Sequence, residues 1–237
     1  FSKAKGCKVW DLDGNKYLDM SIGGIGATIL GYADKDIDSA VKKSITNGVA
    51  SSLNCYEEVR LAQELVSLHP WSEQVRFTRS GGEAMTAAVR IARAFNNKEK
   101  ILFCGYHGWE DWYISANLSV KDKLAGHLAS GLKPNGVPKK LKGMSLPFLY
   151  NDEDSFKKLM NLHGDEVAAI VMEPVRNKKP SPSFFKTIDK YKKKYNTILI
   201  IDEISSGFRL LTGGAHLRYG IKPDVAVFSK GLGNGYP

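Results

Sequence analysis

The sequence is short of cysteine, of arginine and of long apolar runs. Its three cysteines, Cys7, Cys55 and Cys104, lie far apart without a Cys-x-x-Cys spacing, so neither a disulfide framework nor a zinc site is indicated. No apolar stretch approaches the roughly 18 residues of a membrane span, and no signal-peptide pattern is visible. We therefore expect a protein of a reducing compartment, with a cytoplasmic location, no metal site and no membrane partner.

The positive charge of the chain is carried mainly by lysine. There are 34 lysine and arginine residues against 25 acidic ones, a net charge of +9, but only eight of the basic residues are arginine. Nucleic-acid-binding surfaces are typically arginine-rich stripes with interleaved aromatic residues. We interpret the lysine cluster at Lys190–Lys194 as a solvated helix face and expect no nucleic-acid partner.

The order of predicted elements indicates the fold class. Residues 1–48 predict a hairpin around Asp13–Asn15 and one helix that ends at Gly48. Beyond them, strands and helices alternate. The predicted strands are Val75–Thr78, Ile101–Cys104, Val167–Met172, Thr197–Ile201 and Val225–Phe228; the predicted helices are Tyr56–His69, Glu83–Asn96, Ser155–His163 and Ser183–Tyr195. Such alternation predicts an α/β protein with a mostly parallel sheet. We interpret Asn117–Gly143 as a long functional or mobile loop.

Charged residues follow two of these strands directly. Asp202 comes after Thr197–Ile201, and Lys230 comes soon after Val225–Phe228. In an open α/β sheet, ligands bind outside the carboxyl ends of the strands, so the two residues are expected at one edge, where a cofactor needing an amine and an anion would fit. A structural salt bridge explains Asp202 about as well, and Lys230 also reads as an exposed lysine of a glycine-rich loop.

Three further segments carry candidate site residues. Ser80, Gly81 and Gly82 precede an Ala-rich helix, where glycine N–H groups and the positive end of the helix dipole favour a phosphate; an ordinary turn with Ser80 as N-cap is the alternative. Tyr106 and His107 follow a strand, where an aromatic ring can cover a planar cofactor, although a structural role is as common. Glu173 ends another strand and should face a cleft or a cation.

Taken together and in this order, the motifs resemble those of the class III aminotransferases, which are fold-type I enzymes that use pyridoxal 5′-phosphate. They are Ser80–Ala84, Tyr106–Gly108, Glu173-Pro174, Asp202–Arg209, Pro223-Asp224 and Ser229–Gly231. Among the branches of that family, Tyr106–Gly108 and Gly131–Pro138 are most similar to glutamate-1-semialdehyde 2,1-aminomutase. The resemblance runs from about Val9 to Pro237.

The resemblance implies a role for each candidate residue. Lys230 would form the internal aldimine with the cofactor aldehyde and would then act as general base and acid. Asp202 would hold the pyridine nitrogen protonated. Tyr106 would stack on the ring, Ser80, Gly81 and Gly82 would hold the phosphate, and His107 and Glu173 would line the site. Family members usually carry a hydroxyl residue where Gly82 stands, so one side-chain contact to the phosphate would be missing.

The resemblance also implies domains, partners and substrates. Residues 1–48 would belong to a small α+β domain, and residues 49–237 to the large cofactor-binding domain, with family chains continuing well beyond Lys230. The active unit would be a homodimer acting on small-molecule amines and carbonyl compounds, as an aminotransferase or an aminomutase.

Two other readings stay open at this point. The Ser80–Glu83 turn would also suit a nucleotide-binding α/β enzyme, although that reading leaves the pair of Asp202 and Lys230 unexplained. A catalytically inactive scaffold of the same fold is the second alternative, and Gly82 gives it slight support.

Overall fold

The strands form two separate sheets. The computed structural model describes residues 1–119, 123–127 and 131–236. The strands are β1 Lys3–Lys5, β2 Lys8–Trp10, β3 Lys16–Leu18, β4 Lys100–Cys104, β5 Ser145–Pro147, β6 Val167–Met172, β7 Ile198–Asp202 and β8 Val225–Val227. The helices are α1 Gly23–Gly26, α2 Lys35–Asn47, α3 Tyr56–Leu68, α4 Gly81–Asn96, α5 Asp111–Ile114, α6 Glu153–His163, α7 Pro182–Tyr195 and α8 Ala215–Arg218. Short 3₁₀ turns lie at Ser115–Leu118, Ala125–His127, Lys139–Leu141, Gly164–Glu166 and Lys230–Leu232.

The larger sheet is parallel, as the β/α alternation predicts. Its five strands run in the order β5-β4-β6-β7-β8, and each neighbouring pair is parallel. The central strand β6 has the sequence Val-Ala-Ala-Ile-Val-Met and is buried along its whole length. Such near-continuous apolar runs are typical of parallel strands, which are covered on both faces.

Alternate residues of the strands pack into two cores. On one face, Ile101, Val171 and Ile200 pack with residues of α4 that include Met85 and Val89. On the other face, Leu102, Ile170 and Leu199 pack with Phe156 and Met160 of α6 and with Phe184 and Ile188 of α7. Because successive side chains of a strand point to opposite faces, this division confirms the predicted sheet with helices on both sides.

The first 48 residues form their own small sheet. β1, β2 and β3 are antiparallel neighbours, which confirms the predicted hairpin and adds a strand that the sequence did not predict. Asp34 caps α2 by accepting hydrogen bonds from two backbone N–H groups, and Gly48 ends the helix. None of residues 1–64, all of them described, is fully buried.

One predicted strand was wrong, and one observed strand was missed. Val75–Thr78 is not a strand. A strand needs a hydrogen-bonding neighbour, and in the described part of the chain no strand pairs with this segment. The missed strand is β5, which lies at the edge of the sheet beside β4. It has only three residues, one of them Pro147. A segment this short that contains a proline carries no recognisable strand pattern.

The predicted long loop at Asn117–Gly143 falls partly outside the described residues, which exclude 120–122 and 128–130. Its described part includes the buried side chains of Leu124, His127 and Val137 and two of the 3₁₀ turns. Across the ranges that the structure describes, no helix is long and apolar enough to cross a lipid bilayer.

Candidate functional site

The carboxyl ends of β7 and β8 place Asp202 and Lys230 at one edge of the sheet. Asp202 is the register partner of Val227, and the chain then passes through Ser229 to Lys230. Lys230 has a φ of 47°, a backbone conformation that is uncommon for a residue other than glycine and that frequently occurs at functional sites. Both residues line a cleft of about 240 Å³.

The cleft brings together all of the residues that the sequence singled out. Its lining contains Ser80, Gly81, Gly82, Tyr106, His107, Glu173, Asp202 and Lys230. They come from five separate places in the chain: the start of α4 and the ends of β4, β6, β7 and β8. Because the ends of parallel strands meet at one edge of the sheet, the topology gathers the residues at the four strand ends.

Asp202 is held from two sides. One carboxylate oxygen, Oδ2, lies 2.7 Å from His107 Nδ1, and the other accepts a hydrogen bond of 2.9 Å from the backbone N–H of Ile204. The second ring nitrogen of His107 lies 3.3 Å from the carbonyl oxygen of Cys104, and the ring itself is buried. His107 therefore fixes the orientation of a carboxylate that is only 4 % exposed.

The Lys230 side chain has a neutral partner. Its amine donates a hydrogen bond of 2.8 Å to the hydroxyl of Ser205. No ion pair joins Lys230 to a carboxylate within the described residues. The structural partner that the sequence left open for Asp202 is the His107 ring, whose Nδ1 lies 2.7 Å away.

Side chains of Ser80 and Glu83 cap the start of α4. The Ser80 hydroxyl accepts a hydrogen bond of 3.3 Å from the N–H of Glu83, and the Glu83 carboxylate accepts one of 2.8 Å from the N–H of Arg79. The N-cap interpretation of Ser80 is thus confirmed. The N–H groups of Gly81 and Gly82 belong to the first turn, which has no intrahelical acceptors, and both glycines line the cleft.

Glu173 supports the loop that carries Tyr106. Its Oε2 atom lies 3.2 Å from Arg176 Nε and accepts a long hydrogen bond, 3.4 Å, from the N–H of Tyr106. A Cβ atom on Gly105 would collide with this carboxylate, and Gly105 has a φ of 126°, so only glycine fits there. Burial raises the pKa of Glu173, although the charges of His107 and Arg176 oppose that effect.

Comparison with known families decides what kind of protein this cleft belongs to. Residues 1–237 match the family described as aminotransferase class III. The chain belongs to this family. The resemblance inferred from the motifs is therefore confirmed.

Several members of the class III family are similar to the chain over its whole length. It is 34% identical to a 3-aminobutyryl-CoA aminotransferase of Cloacimonas acidaminovorans, covering 100% of this chain and 54% of that protein. It is 37% identical to a glutamate-1-semialdehyde 2,1-aminomutase of Francisella philomiragia, covering 99% of this chain and 54% of that protein. The solved structure of an omega-transaminase from Sphaerobacter thermophilus superposes on the chain with a TM-score of 0.88 at 30% identity. The match covers 100% of this chain and 55% of that one. The chain spans about half the length of these relatives.

Six residues that line the cleft of this class III chain were not predicted as site residues. They are Gly108, Trp109, Glu110, Ile204, Ser205 and Ser229. Ser205 is one of the variable positions inside the Asp202–Arg209 motif, and Trp109 and Glu110 directly follow Tyr106–Gly108. Proximity to a motif was the available signal, but a lone serine or glutamate in a loop has no distinctive pattern, so only the fold reveals that these side chains reach the cleft.

The cleft fits the cofactor that the class III resemblance implies, pyridoxal 5′-phosphate. A phosphate needs closely approaching N–H donors, and the paired glycines at the start of α4 leave that approach open. A protonated ring nitrogen would need a fixed anion and an aldehyde would need an amine, and the cleft contains a carboxylate at Asp202 and an amine at Lys230. The volume of about 240 Å³ is slightly smaller than the roughly 300 Å³ at which small-molecule sites usually begin.

Proposed function

We propose that the protein is a pyridoxal-phosphate-dependent enzyme that moves an amino group between a small amine and a carbonyl compound, between two substrates or within one as an aminomutase does. The observation that carries the proposal is the placement of Asp202 and Lys230 at the ends of the neighbouring strands β7 and β8, both open to one cleft. A nucleotide site at the start of α4 would need neither of these residues. The match to an aminotransferase family also supports the proposal.

Lys230 is the proposed catalytic nucleophile and proton carrier. Its amine would bind the cofactor aldehyde, and a substrate amine would then displace it. The freed amine would take the proton from the substrate carbon that bears nitrogen. It would return the proton to the carbon on the other side of that nitrogen. Ser205, 2.8 Å from the amine, would keep Lys230 aimed into the cleft while its protonation state changes.

Asp202 is the proposed partner of the protonated ring nitrogen. When bound, the cofactor supplies an electron sink for the electrons left after the substrate carbon loses its proton. A carboxylate near the nitrogen favours the charged, protonated form. His107, 2.7 Å from Asp202, would hold that carboxylate in place.

The remaining predicted residues would bind and orient the cofactor. Gly81 and Gly82 would donate backbone N–H groups to the phosphate at the start of α4, where Ser80 shapes the helix end. Tyr106 is 40 % exposed and would cover one face of the ring. Glu173 would act indirectly, because it contacts the backbone of Tyr106.

The decisive experiment locates the covalent link. The full-length protein is reduced with borohydride in the presence of pyridoxal 5′-phosphate, and the modified peptide is mapped by mass spectrometry. We expect a phosphopyridoxyl group on Lys230 and none on the exposed Lys222. A protein that takes up no label at Lys230 would contradict the proposal and favour a scaffold or another ligand.

We further propose that the protein acts as a homodimer. Many large apolar side chains of the first 64 residues are exposed, among them Leu12 at 83 %, Met20 at 84 % and Leu53 at 81 %. Extended apolar surface of this kind typically marks an interaction site. Light scattering of the purified full-length protein should give twice the chain mass, whereas a monomer at micromolar concentration would contradict the proposal.

The division into two domains and the cytoplasmic location are proposals as well. Residues 1–48 carry the small antiparallel sheet, and residues 49–237 carry the parallel one, which supports a small domain followed by a large one.

The proposed location rests on the cysteines. Cys7, Cys55 and Cys104 are all free thiols, which suits a reducing compartment. Thiol labelling of protein taken directly from cells should modify the two exposed cysteines, Cys7 and Cys55.

A further inference from the structure

A carboxylate lies at the end of the cleft where the phosphate is expected. Glu110 directly precedes α5, is half-buried and lines the cleft together with Gly81 and Gly82. A Cβ atom on Gly82 would lie only 2.7 Å from Glu110 Oε1 and 3.6 Å from its Cγ and Cδ atoms. The Glu110 side chain therefore occupies the space that a side chain at position 82 would need.

This placement brings an anion next to an anion-binding element. The α4 helix has 16 residues, and its N-terminus carries about half a positive charge. A carboxylate beside it is favourable in the absence of a ligand, but a phosphate bound there would be repelled by that carboxylate. Among the described residues that line the cleft, Lys230 is the only lysine or arginine. It lies at the end of β8, which is far from α4 in the sequence.

We infer that Glu110 is an affinity-determining residue that competes with the cofactor phosphate for the start of α4. The inference rests on the proposed function, since it takes the phosphate of pyridoxal 5′-phosphate to bind at Gly81 and Gly82. Glu110 weakens binding through its charge and not through its size. A side chain at position 82 would require the Glu110 carboxylate to move, because a Cβ atom there lies only 2.7 Å from Glu110 Oε1.

The charge effect is tested by binding, without any measurement of turnover. The apo form of the full-length protein is titrated with pyridoxal 5′-phosphate and, separately, with pyridoxal, which lacks the phosphate. Glu110→Gln keeps the shape of the side chain and removes its charge. We expect the variant to bind pyridoxal 5′-phosphate about five- to tenfold more tightly, the size expected for one charge removed at short range in a partly solvated site. Its affinity for pyridoxal should be unchanged.

Asp111→Asn is the matched control. Asp111 is the next residue, is exposed and does not line the cleft, so its removal changes the net charge equally without touching the site. The control should bind both compounds like the wild type. Equal gains in the control and in Glu110→Gln would assign the effect to net charge and overturn the inference.

The steric part is tested by a double-mutant cycle. Gly82→Ser alone places a side chain against Glu110 and should weaken binding of pyridoxal 5′-phosphate. In a Glu110→Ala background the same substitution finds free space and can donate a hydroxyl to the phosphate, so it should leave affinity equal or higher. Additive effects of the two substitutions would contradict the coupling of positions 82 and 110.

The outcomes separate this inference from the proposed function. If wild-type protein binds no pyridoxal 5′-phosphate, the proposed function fails. If the wild type binds it and Glu110→Gln binds it equally or more weakly, the proposed function stands and the role of Glu110 is wrong. The thermal midpoint of each apo variant shows whether it is folded, so a misfolded variant is not mistaken for weak binding.

Discussion

Two adjacent carboxylates at the end of β7 lie in different surroundings. Asp202 is 4 % exposed and Glu203 is 0 % exposed, so burial does not distinguish them. Asp202 lines the cleft with Lys230. Glu203 instead accepts hydrogen bonds from Ser206 at 2.5 Å and from the backbone N–H of His216 at 2.6 Å, and its Oε1 lies 2.7 Å from His216 Nδ1. Asp202 therefore faces the cleft of the proposed reaction, whereas Glu203 is bonded to other groups of the protein.

The surroundings of Glu203 form what we call the rear cluster, consisting of Glu203, Ser206, His216 and His69. The His216 ring stacks on His69, with centroids 5.2 Å apart. His69 in turn lies within hydrogen-bonding distance of the carbonyl oxygens of Leu65 and Gly213. Glu203 therefore links the end of β7 to α8 and, through the two histidines, to the end of α3.

The pKa of Glu203 reflects this role. Burial opposes its ionised form, but hydrogen bonds from the His216 side chain, from Ser206 and from the backbone outweigh burial and hold the pKa below its ordinary value. An acid with a lowered pKa adds stability above its unfolded pKa and loses it as the pH falls through the folded pKa. The difference between the neighbours shows that two carboxylates at one strand end can have separate surroundings, one facing the cleft and one bonded within the fold.

The largest effect is expected from Lys230→Ala. The variant loses both the covalent link and the proton carrier, so turnover should fall by at least about 10⁴-fold, while the free energy of unfolding stays close to that of the wild type. Transaminase assays and chemical denaturation of the full-length protein measure the two. Lys222→Ala, at an exposed lysine, is the control. Retained turnover in Lys230→Ala would refute the catalytic assignment.

Asp202→Asn should lower turnover by about 10³-fold, as expected when one preorganised charge is removed from a reacting system. The amide no longer favours the protonated ring nitrogen, so turnover should fall more than cofactor affinity. Asp36→Asn, on the exposed first turn of α2, is the control. If Asp202→Asn turns over like the wild type, Asp202 does not have this role.

Glu203→Gln should show the reverse pattern. Removing one partner of a buried, hydrogen-bonded pair should lower the free energy of unfolding by about 3 kcal/mol, while turnover per folded molecule changes only a fewfold. Denaturant titration beside the exposed control Glu58→Gln measures the first quantity. A loss of turnover with unchanged stability would erase the distinction between the two carboxylates.

A smaller, pH-dependent effect is expected at His127. The backbone N–H of Gly105 donates to His127 Nδ1 at 3.3 Å, which requires that nitrogen to be unprotonated. Burial, with the charges of Arg176 and His107, lowers the pKa of His127 to about 4. The unfolded chain therefore binds more protons between about pH 6.5 and 4, and stability falls as the pH drops through this window.

His127→Gln should remove that pH dependence, because the amide can still accept the hydrogen bond but cannot titrate. We expect the wild type to lose about 1–2 kcal/mol more than the variant between pH 7 and pH 5. Denaturation at a series of pH values checks this, with His163→Gln, at a half-buried histidine beside Glu166, as the control. Parallel pH profiles for wild type and His127→Gln would contradict the prediction.

Local patterns predicted the central part of the fold. The apolar runs that became β4, β6 and β7 are buried on both faces, so their hydrophobicity was a direct signal. Val75–Thr78 instead alternates apolar and polar residues, which also indicates a strand, but no described strand lies beside it, and pairing cannot be read from one segment. Glu203 carried no distinguishing signal either, since the motif Asp202-Glu203 contains two acids and periodicity alone does not say what each will contact.

The sequence by itself determined the class of fold, the family and the candidate site residues, because these depend on periodicity and on motifs in a fixed order. Only the tertiary structure decided what each side chain contacts: His107 against Asp202, Ser205 against Lys230, and Glu110 against Gly82. Those pairs join residues separated by between 25 and 95 positions. Distances across a packed interior are set by the whole sheet and its helices, and no local pattern encodes them.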